Sequence, residues 1–521
     1  MNTKFKEYSQ GQLLLLPPSI EELVAPGHMA RVIDDFINQL DICNIKDAFP
    51  GGGCPAYNPV MMLKVLIYAY CSKTFSSRDI ERNLKQDVVF MWLSGMQRPD
   101  HNTINRFRSF YLSKVLDEVF FQVVWMLKEQ GYISLKDLFV DGTKIEANAG
   151  RYTYVWRRNT ERYKESVKNK ISLLLDEIDQ INAKEDQELG NRPSKELTIG
   201  EQISPSEIKA RAEEASMALK KKIVSNGDKR QAIILRKTSR ELDENIEKLK
   251  AYESQEDILN GRNSYSKTDT GATFMRTKED TLRPCYNPII STDNQFIVNV
   301  TLSQNTADNV GFIEHVEKLL SWRDGSLKPE NYVGDAGFGN EENYEYLSHN
   351  KISNYLKYNI FDYEQTDDYH ENIFLPDNME YDLKNDCFIC PAGKMIIKMG
   401  ESNRATATGY VVQTKVYECE DCNGCPIASR CKNSCENRKF TRSNNLEMYK
   451  IQTRENLNSE KGIKLRKQRG HDVETPFADI KHNMGVRKFR LRGKEKATTE
   501  MLWVALAHNI RKVSIIQKKV A

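Results

Sequence analysis

The chain has 521 residues and a formal net charge of only +3, because 76 Lys and Arg are balanced by 73 Asp and Glu. This length predicts several domains with a large buried core, and the balanced charge excludes binding to a polyanion through overall charge alone. No apolar run reaches the roughly 18 residues that span a bilayer, and no signal peptide is recognisable at Met1. We therefore expect a cytosolic protein, with no membrane partner, whose eleven cysteines stay reduced.

The first part of the chain, 1–130, is predicted to be helical. Apolar residues recur at helical spacing over 20–40 and again over 59–70. Ser76 and Asp100 each stand where the N-cap of a further helix is expected.

The short helices predicted between residues 76 and 108 are open to two interpretations. They could form a helix-turn-helix whose second helix reads a major groove through Asn105 and Arg106. They could equally belong to a helical bundle that only packs. The sequence favours neither interpretation over the other.

Two apolar runs each end in an aspartate. The stretch 138–145 is rich in β-favouring residues and carries Asp141 near its end. The stretch 332–338 repeats this pattern around Asp335. One such run alone is typical of an ordinary buried strand that enters a turn, but the repetition indicates two carboxylates held on rigid strands.

A third carboxylate, Glu474, lies in the most basic part of the chain. Residues 461–496 contain twelve Lys and Arg against four Asp and Glu, a local excess of +8. Such an excess is the footprint of a surface that binds a polyanion. Three separated carboxylates, the last one among cations, indicate two divalent metal ions that act on a phosphodiester.

Residues 155–262 are predicted to form a helical hairpin inserted into the catalytic domain. Apolar residues follow the alternating four- and three-residue steps of a coiled-coil seam over 167–181 and again over 235–249. The stretch 190–205 is rich in helix breakers and separates the two runs.

Strand patterns return after this insertion, interrupted by turns and by helices. The strands are expected at 272–275, 286–291, 295–302, 331–333 and 354–358. Their order, with helices between the last three, fits a mixed α/β sheet. Neighbouring strands in such a sheet would bring Asp141 and Asp335 to one edge. Asp293 is expected to be a residue of the hairpin turn at 292–294 and not a ligand.

Seven of the eleven cysteines lie within residues 387–435, in two clusters about thirty residues apart. In a reducing compartment, such clusters on either side of a β-like run are a strong signal for zinc. The alternative is a set of reduced thiols that bind no metal. The seven are Cys387, Cys390, Cys419, Cys422, Cys425, Cys431 and Cys435.

The segment 437–521 is predicted to be helical and basic. Glu474 and Lys481 are seven residues apart, which places them on one helix face about two turns apart. Pro476 indicates that Glu474 stands near a helix start, because the first turn of a helix tolerates proline. Candidates for binding backbone phosphates are interleaved with Phe489. They are Arg487, Lys488, Arg490, Arg492 and Lys494.

Taken together, these features resemble a bacterial insertion-sequence transposase of the DDE superfamily. The chain is similar to the transposases of insertion-sequence family eleven-eighty-two over nearly its whole length. The matching segments are 99–108, 141–149, 332–338, 390–394, 422–431 and 473–493.

The resemblance implies an RNase H-like catalytic core in which Asp141, Asp335 and Glu474 are the catalytic, metal-binding triad. Two Mg²⁺ or Mn²⁺ ions in this site would serve phosphodiester hydrolysis at the element ends, and the freed 3′-OH would then attack target DNA. Lys481 would contact phosphate near the cleaved end. The expected partners are the terminal inverted repeats, the target DNA and a second copy of the chain in the synaptic complex, at the nucleoid of the bacterial cytoplasm.

The resemblance also implies a zinc-ribbon-like insertion before the glutamate helix. Its best-matching ligands for a structural Zn²⁺ are Cys390, Cys422, Cys425 and Cys431, while Cys387, Cys419 and Cys435 are replacements if the register differs. The expected domain order is a helical DNA-binding domain at 1–130, core segments at 131–154 and 263–364, the helical hairpin at 155–262, the zinc-ribbon-like insertion at 365–440 and the C-terminal part of the core at 441–521.

The chain departs from the family pattern around the glutamate. Related transposases often carry Tyr-x2-Arg-x3-Glu-x6-Lys, but here Lys467 replaces the tyrosine and Gly470 replaces the arginine. Arg466 and Arg469 are the nearby arginines that could substitute.

Two other functions stay open at this stage. One is a metal-dependent nuclease that cuts DNA without strand transfer, which the sequence does not separate from a transposase. The other is a catalytically silent DNA-binding protein derived from a transposase, against which the presence of all three carboxylates argues.

Overall fold

A computed structural model describes residues 19–47, 49, 55–113, 115–189, 205–225 and 229–520. The chain divides into two compact units. The first, here called the discontinuous unit, consists of Met1–Ile145 and Asn287–Ala521, and the second, the inserted unit, is Glu146–Tyr286. Each unit is described by itself.

Helices precede the first strand of the discontinuous unit, as predicted. They are α1 (Ile20–Leu23), α2 (Met29–Asn38), α3 (Cys43–Asp47), α4 (Pro59–Cys71), α5 (Ser77–Gln86), α6 (Val88–Leu93), α7 (His101–Arg106) and α8 (Leu116–Glu129). Asp100 caps α7, since its Oδ1 accepts a hydrogen bond from the Thr103 N–H at 2.7 Å. Ser76 occupies the N-cap position of α5, but its side chain makes no capping hydrogen bond.

The inserted unit is dominated by long helices. After β1 (Asp137–Gly142) and β2 (Ile145–Glu146), the chain forms β3 (Tyr154–Trp156), α9 (Arg157–Leu189), α10 (Pro205–Ser225), α11 (Lys229–Leu259), β4 (Ser264–Ser266) and β5 (Thr273–Arg276). The predicted seams on α9 and α11 are buried against each other, with Ile171 and Leu242 inaccessible to solvent.

The prediction of a two-helix hairpin is wrong, because α10 adds a further helix to the same apolar core. Its buried positions include Ala212 and Ala215, which are small residues that give only a weak apolar periodicity in the sequence. The breaker-rich stretch 190–204 lies outside the described residues.

The discontinuous unit contains the predicted mixed sheet. Its remaining elements are β6 (Leu282–Asp293), which begins in the inserted unit, β7 (Phe296–Ser303), α12 (Phe312–Leu320), β8 (Asn331–Gly334), α13 (Glu341–His349) and β9 (Ser353–Leu356). The strand order is β7-β6-β1-β8-β9. β6 is antiparallel to both β7 and β1, whereas β1, β8 and β9 pair in parallel. Therefore β1, β7, β8 and β9 all point the same way.

The hairpin between β6 and β7 lies within one residue of its predicted place. Asn294 and Gln295 form the turn with φ values of 50° and 63°, the left-handed pair that a two-residue hairpin requires. Asp293 ends β6, and its Oδ2 accepts the N–H groups of Ser134 and Leu135 at 2.7 and 2.6 Å. This carboxylate fixes the loop that leads into β1.

A second, antiparallel sheet follows β9. Its elements are α14 (Asp367–Glu371), β10 (Glu380–Asp382), β11 (Cys387–Ile389), β12 (Met395–Ala405), β13 (Val411–Cys419), α15 (Ala428–Cys431) and β14 (Lys439–Arg442). The strands pair in sequence order around a small core in which Phe388 packs edge-on against Tyr417, with ring centroids 5.0 Å apart.

Three helices complete the chain, namely α16 (Asn444–Asn458), α17 (Glu460–Ala478) and α18 (Lys494–Val520), of which α17 and α18 are basic. As predicted, α18 docks on the core, where it packs against β7 and α4 and buries Trp503. Among the helices that the structure describes, none combines the length and the apolar character that crossing a membrane would need.

The prediction that Glu474 stands near a helix start is wrong. Pro476 lies inside α17, close to its end, and the chain then widens into a π-helical turn at Asp479–Asn483. Proline at this position lacks the N–H that would bond to the carbonyl of residue 472, and its ring crowds that carbonyl, so it perturbs the helix here.

Candidate active site

The two predicted aspartates lie at one edge of the mixed sheet. Asp141 is the penultimate residue of β1, and Asp335 directly follows β8. These strands are parallel neighbours, with Phe139 paired to Val333. Since Leu138, Phe139 and Val140 are fully buried, β1 is a rigid support for the carboxylate that follows.

Arg469 of α17 joins the two carboxylates. Its Nη2 lies 3.4 Å from Asp141 Oδ1 and 3.3 Å from Asp335 Oδ2. The two carboxylate oxygens are thus at most 6.7 Å apart, the sum of these distances. This spacing is one that a single positive charge can bridge.

Burial and neighbouring carboxylates disfavour negative charge on Asp141 at this edge of the sheet. Burial raises the pKa of Asp141 from 3.8 to about 6, although the Arg469 guanidinium opposes the rise; Asp335 and Asp308 add to it. Asp335 is more accessible, with 41% of its side chain exposed against 21% for Asp141. A cation entering this site would relieve repulsion that the fold already imposes.

α17 runs alongside β1 and sets the position of its side chains. Near the start of both elements, Lys461 Nζ lies 3.5 Å from Asp137 Oδ1, and near the end of β1, Arg469 meets Asp141. Eight residues of helix rise about 12 Å, and four residues of strand rise about 13 Å. The helix and the strand therefore rise by nearly the same distance between these two ion pairs.

Glu474 is exposed on the same helix, one turn beyond Arg469. Its Oε1 lies 3.8 Å from the place where a Cβ on Gly470 would stand, so the side chain leans back over Gly470. A Cβ at Gly470 would make only ordinary van der Waals contact with this carboxylate.

The three predicted carboxylates are not gathered into one finished site. Asp141 and Asp335 lie together, while Glu474 stands on the adjoining helix. Within the described ranges, no three His, Cys, Asp or Glu side chains are grouped closely enough to hold a metal ion.

Lys481 also lies at this edge of the sheet. Its Nζ donates a hydrogen bond to Thr143 Oγ1, two residues after Asp141. The predicted helical face shared with Glu474 is not continuous, because α17 ends at Ala478 and Lys481 belongs to the π-helical turn.

Asp308 is a residue of this site that the sequence reasoning missed. It follows β7, starts a short 3₁₀-helix, and accepts a hydrogen bond from Asn287 Nδ2 on Oδ1 at 2.5 Å. Burial raises the pKa of Asp308, and the Asp335 charge adds to the rise. The available signal was a carboxylate after a strand, but Asp308 is only the fifth residue after the end of β7.

The Lys and Arg side chains after Glu474 differ in their exposure and in their contacts within the protein. Arg487 and Arg492 are exposed, and Arg487 Nη2 lies 2.9 Å from His482 Nδ1. Lys494 Nζ is 3.4 Å from Glu314. Lys488 is exposed as well.

Arg490 makes several contacts within the protein. Its backbone N–H donates to the carboxylate of Glu500, which is only 1% exposed, and its guanidinium lies 3.9 Å from the ring centroid of Phe75. Loss of this side chain would disturb packing as well as charge.

The segment proposed to read bases presents both predicted residues to solvent. Asn105 and Arg106 are exposed on α7. Asn105 Oδ1 accepts from Arg108 Nη2 at 3.1 Å, and the Arg106 guanidinium lies 5.7 Å from the Tyr111 ring. Neither contact distinguishes a base-reading helix from a packed bundle.

The cysteine segment encloses a small cavity of about 20 Å³. Backbone N–H groups point at two sulfurs around it, from Lys394 to Cys390 Sγ at 3.3 Å and from Arg438 to Cys422 Sγ at 3.4 Å. Arg438 Nη1 adds a 2.9 Å bond to Cys431 Sγ. The cysteines that line the cavity are Cys390, Cys419, Cys422, Cys425 and Cys431.

Two segments of the chain match models of known protein families. Residues 18–110 match the family model described as Transposase domain (DUF772), and residues 389–514 match the model described as Transposase DDE domain. The second segment contains Arg469, Glu474 and the cysteine cavity, whereas Asp141 and Asp335 lie outside both. No curated protein and no solved structure matched the chain. The two family matches support an insertion-sequence transposase, a kind of enzyme that cleaves and transfers DNA and generally uses divalent metal ions.

Proposed function

We propose that this protein is a DDE transposase of the type found in insertion-sequence family eleven-eighty-two, with an RNase H-like core. The observation that supports it most is the shared contact of Asp141 and Asp335, from adjacent parallel strands, with a cation of the helix that carries Glu474. These three carboxylates are the proposed catalytic residues. In this proposal the enzyme cleaves DNA at the element ends and joins the 3′-OH ends to target DNA by transesterification.

The residues fit a pair of Mg²⁺ or Mn²⁺ ions in their chemistry. Carboxylate oxygens are the ligands that these ions prefer, and Asp141 and Asp335 already bracket one positive group. The chemistry that such ions supply is activation of a water molecule and stabilisation of the leaving 3′ oxygen. The side chain of Glu474 is exposed.

The protein's own residues have separate tasks in this proposal. Asp141 and Asp335 hold the ions on the rigid edge of the sheet. Lys481, next to Thr143, contacts the phosphate beside the cleaved bond. Exposed cations after the π-helical turn, including Arg487, Lys488 and Arg492, contact the DNA backbone.

Recognition of the element ends is assigned to the N-terminal helices. Asn105 and Arg106 are exposed on α7 and carry the donors and acceptors that base edges require. Because two element ends must be cut together, the active assembly contains two copies of the chain. The domain order proposed for the chain is the one given by the sequence, with the helical insertion now including α10.

A structural Zn²⁺ bound by Cys390, Cys422, Cys425 and Cys431 is the second part of the proposal. All four cysteines line one cavity, and backbone N–H groups donate to the sulfurs of Cys390 and Cys422. Cys419 lines the same cavity and is the replacement if one of the four is not a ligand, whereas the cavity lining includes neither Cys387 nor Cys435.

A cleavage and strand-transfer assay on labelled element-end DNA tests the catalytic proposal. Asp141→Asn, Asp335→Asn and Glu474→Gln should each abolish cleavage while end binding persists, because each removes a charge and keeps the side-chain size. Glu460→Gln is the matched control, since Glu460 is exposed in the first turn of the same helix. Its activity should equal that of the wild type.

The same assay separates the other functions. Cleavage without any joined product would identify a metal-dependent nuclease. End binding without cleavage by the wild type, in Mg²⁺ and in Mn²⁺, would identify a silent DNA-binding protein. Wild-type cleavage by any of the three mutants would remove that residue from the site.

A further inference from the structure

Asp308 occupies the same edge of the sheet as the two proposed metal-binding aspartates. β1, β7 and β8 point the same way, so their carboxyl ends lie at one edge. Asp141 is the penultimate residue of β1, Asp335 follows β8, and Asp308 follows β7 after a loop. The topology thus collects carboxylates from the outgoing ends of separate strands.

Gly142 leaves the space that the Asp308 carboxylate fills, and Gly337 lies beside both Asp308 and Asp335. A Cβ on Gly142 would stand 2.5 Å from Asp308 Oδ1, closer than side chains approach one another. A Cβ on Gly337 would stand 3.4 Å from Asp308 Oδ2 and 3.0 Å from Asp335 Oδ1. These two oxygens are therefore at most 6.4 Å apart, by addition of the two distances.

The carboxylate of Asp308 is held in one orientation. Asn287 Nδ2 donates to its Oδ1 at 2.5 Å, and the same amide lies 3.4 Å from the carbonyl oxygen of Asn305. While Asn287 donates to Oδ1, Oδ2 is the Asp308 oxygen nearest to a Cβ on Gly337. A surface residue with no role beyond starting a 3₁₀-helix would not need this support.

The formal charges also favour a fourth carboxylate. Two divalent ions carry four positive charges, and the proposed triad supplies three negative ones. Arg469 stands between two members of that triad and offsets part of their charge. An additional buried acid beside Asp335 restores the negative potential that holds cations at the site.

We infer that Asp308 is a fourth metal-binding carboxylate of the catalytic centre, acting beside Asp335 and oriented by Asn287. This inference rests on the proposed function, because it assigns Asp308 to the same divalent ions. Asp308 therefore supplies an oxygen ligand, and Asn287 is a positioning residue.

Binding of Mn²⁺ to the full-length protein, followed by the electron paramagnetic resonance signal of the free ion, provides the test. Asp308→Asn should weaken Mn²⁺ binding by at least about tenfold, as loss of a metal-site partner does. Asp141→Asn should weaken it as well. Asp362→Asn is the matched control, because Asp362 is exposed in the same unit and pairs only with Lys357 in the described structure.

The outcomes distinguish the inference from the proposed function. Wild-type Mn²⁺ affinity in Asp308→Asn, together with weakened binding in Asp141→Asn, would overturn the role of Asp308 alone. Wild-type affinity in both variants would overturn the proposed catalytic centre as well. If Asp308→Asn does not fold, Asp308→Ser removes the carboxylate and keeps an oxygen for the Asn287 amide, and the same outcomes apply to it.

Discussion

Replacing Asp141 with asparagine should stabilise the protein against unfolding when metal ions are chelated. The folded environment raises the pKa of this carboxyl from 3.8 to about 6, chiefly through burial. At neutral pH this carboxyl is ionised in both states, and its charge is less favourable in the folded protein than in the unfolded chain. Asparagine has nearly the same shape and carries no charge.

The size of the effect follows from the pKa change. Each pKa unit corresponds to about 1.36 kcal/mol, so the ionised form costs about 3 kcal/mol of the free energy of unfolding. Between pH 3.8 and about 6 the folded state binds a proton that the unfolded state has released. Hence the stability of the wild type falls as pH rises through this range, and it stays at the lower value above it.

Urea denaturation in the presence of EDTA measures this difference. At pH 7.5 the free energy of unfolding of Asp141→Asn should exceed that of the wild type by about 3 kcal/mol, and at pH 5 by about half as much. Excess Mg²⁺ should reverse the order, because it stabilises only the protein that binds it. The control Asp362→Asn, at an exposed carboxyl, should differ from the wild type by no more than about 0.5 kcal/mol at either pH.

An equal or lower stability of Asp141→Asn at pH 7.5 would refute the reasoning. It would mean that the ion pair with Arg469 outweighs the burial of the carboxylate. A stability difference between Asp141→Asn and the wild type that is the same at pH 5 and pH 7.5 would also contradict the reasoning. Its cause would then not be the ionisation of Asp141.

Further predictions concern zinc, phosphate contacts and base recognition. Cys422→Ser should lose bound zinc and lower the thermal midpoint, measured by metal analysis and calorimetry, whereas Cys435→Ser should keep both. Arg492→Ala should weaken binding to every DNA sequence alike and reduce the slope of log affinity against log salt by about one, in titrations at several salt concentrations. Asn105→Ala and Arg106→Ala should lower the preference for element ends over scrambled DNA at fixed salt, and equal preference ratios in folded mutants and wild type would favour the packed-bundle interpretation.

Much of the sheet could be predicted because its signals are local. The apolar runs before Asp141 and Asp335 identify buried strands, and the order of strands and helices is enough to place both residues at one edge. Asn294 predicts the hairpin turn after β6, because asparagine tolerates positive φ.

Other parts of the site depend on contacts that no local pattern records. Arg469 meets Asp141 across 328 residues of sequence, a pairing that only the packing of α17 along β1 creates. Asp308 looks like an ordinary helix-starting residue until Gly142 and Gly337 are seen beside it. Pro476 misled the prediction of the helix boundary because proline is usually tolerated only in the first turn of a helix, whereas here it lies close to the end.

The equal rise of α17 and β1 between their two ion pairs restricts how this chain can change during evolution. One residue inserted between Lys461 and Glu474 would turn the rest of the helix by about 100° and carry the glutamate away from the sheet edge. Insertions between β12 and β13 would lengthen a hairpin far from that helix in sequence and would leave its pitch untouched. Length variation among homologues should therefore accumulate in the antiparallel sheet, while the spacing from Lys461 to Glu474 stays fixed.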